Sequence, residues 1–91
     1  MDYTKKQIEQ ALSRYRAGQK QEALNILESS YSELTRQDIL RVEAGQYQMT
    51  GKSAVNDWAN LAVDKLRREL GADNCAAVPV ELALNTALSM L

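Results

Sequence analysis

An all-α fold is predicted for this 91-residue sequence: a compact bundle of about five short helices with an N-terminal αα-hairpin and an apolar C-terminal helix. Apolar residues recur at helical rather than alternating spacing in every segment. Strand signals are weak, with no Phe, no Asn-Gly or Asp-Gly turn and no sustained alternation of β-branched residues. Gly18, Gly45, Gly51, Gly71 and Pro79 divide the chain into helix-sized pieces. A composition of 45% hydrophobic and 25% charged residues fits one folded domain spanning residues 1–91 and argues against disorder.

The first helix is expected to start after Thr4, an N-cap residue, and to carry Ile8, Ala11, Leu12 and Tyr15 on one face until Gly18 stops it. A second resumes near Gln19, with Ala23, Leu24, Leu27, Tyr31 and Leu34 as its stripe and Gln21, Asn25 and Glu28 facing water. So short a join makes residues 4–34 an antiparallel hairpin. Thr35 and Asp38 stand at the spacing of a capping box and open a short helix with Ile39, Leu40 and Val42 that ends near Gly45. A polar connector from Gln46 to Lys52 holds Tyr47 and Met49, which are candidate partner contacts.

Ser53 then caps a longer helix reaching about Leu70, so that 35–71 comprises a short helix and a long one. Val55, Trp58, Ala59, Ala62, Leu66 and Leu70 lie on one side of it, and the i,i+4 pairs Asp64/Arg68 and Lys65/Glu69 on the other. Gly71 suits the left-handed position after its end, and residues 72–77 link to Pro79, which is tolerated in a first helical turn. The last segment, 79–91, is apolar over most of its circumference; only Glu81, Asn85, Thr86 and Ser89 interrupt it. Such a helix must be buried on several sides. It is therefore read as an oligomerisation helix, with Val80, Leu84, Ala87, Leu88 and Leu91 as the expected interface between copies.

Charge and missing residue types narrow the function. Eleven basic and twelve acidic side chains give a net charge of −1, and histidine is absent. Without imidazole there is no Ser/His or Cys/His pair and no histidine metal ligand. The carboxylates lack metal-loop spacing and no glycine-rich phosphate cradle exists, so no catalytic residue, cofactor or metal site is expected. Cys75, the single cysteine, has no cation beside it to activate a thiol; a lone free cysteine fits a cytoplasmic setting. No secretory h-region and no membrane span is expected. The one locally basic spot, Lys65, Arg67 and Arg68 with Lys52 at the far end of the same helix, is too small to make nucleic acid a good partner. A helix-turn-helix reading of 35–70 also meets a connector longer than that motif's turn, and Asp57, Asp64 and Glu69 along the would-be recognition helix.

The stretch ALSRYRAGQKQEALNILESSY, residues 11–31, resembles the central part of a tetratricopeptide helix pair: small Ala11, aromatic Tyr15, turn Gly18, the Glu22-Ala23-Leu24 step, Leu27 and small Ser30. The resemblance implies two closely packed antiparallel helices, and in that family the concave side often receives peptides. It implies no array, because Lys52 and Asp57 stand where a repeat 34 residues later would need another Gly18 and Ala23. Of the aromatic residues, Tyr15 and Trp58 lie on apolar stripes and read as core, whereas Tyr47 lies in a polar connector.

A non-catalytic protein–protein interaction module is the expected function, a homo-oligomeric regulator or inhibitor that binds its own copies and then a target protein. In size and charge the chain resembles the small helical inhibitors of temperate phages, such as antirepressors, and that resemblance implies a transcriptional repressor as the target. The alternatives are a helix-turn-helix-like DNA-binding regulator and a structural helix-bundle scaffold.

Overall fold

The computed structural model describes residues 2–32, 52–71 and 79–91. They form four helices and no strand: α1 (Lys5–Arg16), α2 (Lys20–Glu28), α3 (Lys52–Leu70) and α4 (Val80–Ser89). The expected short helix with Ile39, Leu40 and Val42, the connector with Tyr47 and Met49, and the linker with Cys75 lie outside the described residues.

The capping box at the start of α1 uses Thr4 and Gln7. Thr4 Oγ1 accepts from the Gln7 N–H at 3.1 Å, and Gln7 Oε1 accepts from the Thr4 N–H at 3.3 Å. The same glutamine reaches across the hairpin, donating from Nε2 to the Ile26 carbonyl at 2.7 Å and to Ser30 Oγ at 3.2 Å. One side chain thus fixes both the beginning of α1 and the end of α2. Between them the chain reverses through Gly18, whose φ is +81°. The Gly18 N–H donates to the Tyr15 carbonyl and the Gln19 N–H to the Arg14 carbonyl, the two bonds of a Schellman motif. A Cβ on Gly18 would meet nothing within 4 Å, so only the backbone conformation resists substitution. Gly18→Ala is expected to cost about 1–2 kcal/mol in chemical denaturation, and Gly18→Asn less, because asparagine tolerates the left-handed region.

Ser29 ends α2 earlier than the apolar stripe suggests, so Tyr31 packs half-buried beyond the helix. The Ser30 and Tyr31 N–H groups close the last turn on the Leu27 and Glu28 carbonyls.

The helices close a ring in which α1 meets α2 and α4, and α3 meets α2 and α4. Ile8 and Leu12, Ala23 and Leu27, Leu61 and Leu66, and Val80 and Leu84 face inward from the four helices in turn. The two later helices exchange the roles read from the sequence. α3, expected to show water a charged face, is buried around most of its circumference, with Leu61, Val63 and even Lys65 joining Val55, Ala59, Ala62 and Leu66; Leu70, assigned to its buried stripe, is exposed. α4, expected to be buried on several sides, has an ordinary single core face of Val80, Ala83, Leu84 and Ala87, while Leu82 is 54% exposed. Length decides between them: α3 has 19 residues and crosses the bundle, whereas α4 has 10 and closes one side of it.

Candidate interaction surface

Three of the five residues assigned to an interface between copies lie inside the chain's own core. Val80, Leu84 and Ala87 are fully buried, so their surface is already used in folding. Leu88 is half-buried against the core and Leu91 is 52% exposed. What α4 offers outward is Leu82 on the face away from its core residues, with Asn85 and Leu88 nearer the edge of that face; Leu91 is exposed beyond the end of the helix.

An open groove of about 590 Å³ runs between α1 and α4 and takes in Asn85 and Leu88 but neither Leu82 nor Leu91. Leu12 and Leu88 supply its apolar floor, Ser13 and Asn85 add neutral polar groups, and Lys5, Glu9 and Arg16 stand on the α1 side. The charged α1 residues carry no role in the sequence reading, and Leu12, read there as part of the hairpin stripe, is indeed a core residue, 5% exposed. Lys5 and Glu9 sit four residues apart, and neither side chain has an ion pair or hydrogen bond among the described residues. Most other described cations are held. Arg14 faces Glu22 at 3.5 Å, Arg16 bonds Glu81 at 2.7 Å, Arg67 bonds Glu28 at 3.0 Å and Arg68 faces Asp64 at 3.4 Å.

A polar clasp joins the ends of all four helices. The Tyr15 hydroxyl on α1 donates to both Glu69 oxygens on α3, at 3.0 and 3.1 Å; Lys20 at the start of α2 pairs with the same carboxylate at 3.2 Å. Arg16, next to Tyr15, holds Glu81 in the first turn of α4. The expected Lys65/Glu69 pair does not form, because Lys65 is buried, only 2% exposed, and Glu69 turns to Tyr15 and Lys20. Burial, the hydrogen bond to Glu69 and the nearby charges of Glu69 and Glu81 push the Tyr15 phenol up from 10.0 to about 12. The folded-state value lies above that of an unfolded tyrosine. Its contribution to stability is therefore complete below pH 10.0 and is lost as pH rises toward about 12. Denaturation series across that interval are expected to show falling stability in the wild type and a shallower fall in Tyr15→Phe; equal slopes would show that the clasp does not govern the alkaline limit.

A second polar cluster explains Tyr3, which is 5% exposed and so serves the core and not a partner. Its hydroxyl donates to Asn60 Oδ1 at 2.6 Å, and its N–H donates to Asn56 Oδ1 at 3.1 Å. Burial pushes this phenol well above the usual tyrosine range, the charge of Tyr31 adding to the shift and Arg67 opposing it. Trp58 packs against the core, as its stripe position predicts; its Nε1–H is buried without a hydrogen-bond partner.

The basic spot is consumed by the fold. Lys65 is buried, Arg67 stacks 4.2 Å from the Tyr31 ring centroid while bonding Glu28, and Arg68 faces Asp64. Among the described residues no three His, Cys, Asp or Glu side chains gather as metal ligands, and no helix is long and apolar enough to cross a membrane. Comparison with protein-family profiles, with curated proteins and with solved structures finds no match to this chain.

Proposed function

We propose that this chain is a non-catalytic protein-interaction module that binds its own copies and, in the assembled form, a target protein. The observation that carries the reading is the exposed apolar surface of α4 and of the chain just after it. Leu82 and Leu91 are more than half exposed, and a separate groove between α1 and α4 takes in Leu12 and Leu88, on a molecule whose cations are mostly paired. Exposed leucines and a concave surface together provide contact area that a protein partner can cover. The target in this reading is a regulatory protein such as a transcriptional repressor, blocked by occlusion of its surface, and resemblance in size and charge is the support for that class. DNA-binding by α3 is disfavoured by the pairing of Arg67 and Arg68 and the burial of Lys65.

Sedimentation velocity from one to about a hundred micromolar tests the first step. Assembly is expected to appear as a concentration-dependent rise in mass. A strict monomer throughout would end this reading, and Leu82 and Leu91 would then be isolated surface leucines of the kind most proteins carry.

A further inference from the structure

Resting on self-association as proposed above, we infer that the groove between α1 and α4 is an isologous interface filled by a second copy of this chain. In it Lys5 of each protomer faces Glu9 of the other, and Asn85 and Leu88 of α4 meet the partner along the groove's other wall. The charges single out this occupant. A partner of uniform sign would satisfy one of Lys5 and Glu9 and repel the other, whereas a two-fold axis presents every protomer with the same two charges in reverse order. Their spacing suits that operation. Four helical residues separate the two side chains by roughly 6 Å along the axis, so a two-fold at the midpoint of an antiparallel α1 pair sets each charge against its opposite. Within one protomer the order is lysine before glutamate, the poorer i,i+4 orientation, and the two do not pair. Both are exposed, so neither is engaged by the fold itself.

The apolar part matches the same symmetry. Leu88, half-buried, is the apolar side chain that the groove leaves open to a partner, since Leu12 is only 5% exposed, and Asn85 stands beside it. A copy rotated onto the groove covers its partner's floor and has its own covered in return. Val80, Leu84 and Ala87 stay in the core of each protomer.

Charge reversal gives a test that leaves the core untouched. Lys5→Glu and Glu9→Lys, each alone, place like charges in two symmetry-related contacts and are expected to weaken self-association roughly tenfold. An equimolar mixture of the two variants pairs glutamates with lysines and is expected to recover wild-type association as a heterodimer, seen by tagging one variant. If the wild type assembles but the single reversals match it, or the mixture does not recover, this surface is wrong although self-association stands. The groove is then left to another protein. If the wild type does not assemble at all, the interaction-module reading falls with it.

Discussion

Asn60→Leu is expected to destabilise the chain by about 2–3 kcal/mol although it preserves side-chain size, because it strands the buried Tyr3 hydroxyl and takes away the acceptor of the part-buried Ser32 N–H. Asn60 is 4% exposed on α3, and its Oδ1 accepts from the Tyr3 hydroxyl at 2.6 Å and from the Ser32 N–H at 3.1 Å. One oxygen thereby holds the segment before α1 and the segment after α2 onto the central helix. Asn56, one turn earlier, accepts from the Tyr3 N–H and donates to Asp2 Oδ1 at 2.9 Å, extending the tie along the same face. Tyr3→Phe removes one donor together with its need for an acceptor and is expected to cost only about 1 kcal/mol. In the Tyr3→Phe background, Asn60→Leu should then cost less than alone, and the difference measures the coupling. Urea denaturation of the four proteins reads this as midpoint shifts at constant slope. A loss below about 0.5 kcal/mol for Asn60→Leu, the scale of ordinary surface substitutions, would show that water or another group replaces the asparagine.

The two asparagines also mark where sequence reading stops. Helical class, the Thr4 cap, the Gly18 turn and the inward faces of α1 and α2 were legible because each depends on neighbours within one or two turns. The Asp64/Arg68 pair was legible for the same reason. Tyr3 to Asn60 spans 57 residues, Tyr15 to Glu69 spans 54 and Arg16 to Glu81 spans 65, and no local pattern announces such partners. Lys65 and Glu69 look like an exposed intrahelical pair until the fold brings Tyr15 and Lys20 to Glu69 and buries the lysine. The groove was hidden similarly: it belongs to α1 and α4 jointly, and apolar periodicity in α4 alone gives no way to separate leucines spent on the core from leucines left outside.

Leu84→Ala and Leu82→Ala separate those two kinds of leucine with the same chemical change two residues apart. Leu84 is fully buried in a contact surface shared with Val80, Ala83 and Ala87, all at or near zero exposure, and alanines on either side leave little side chain to collapse into a void. Truncating it is expected to cost about 2–5 kcal/mol, the transfer of the lost atoms plus the cavity they leave. For a domain of this size that is a fall in Tm of at least roughly 10 °C. Leu82, 54% exposed, loses little burial on truncation, and its variant should stay within about 0.5 kcal/mol of the wild type. Both measurements belong at protein concentrations below any assembly, since association would add stability through mass action and lend Leu82 an effect it does not have in the single chain. If the two variants lose comparable stability there, α4 is buried on both sides within one protomer, the orientation of its core face is wrong, and Leu82 is not an outward-facing leucine.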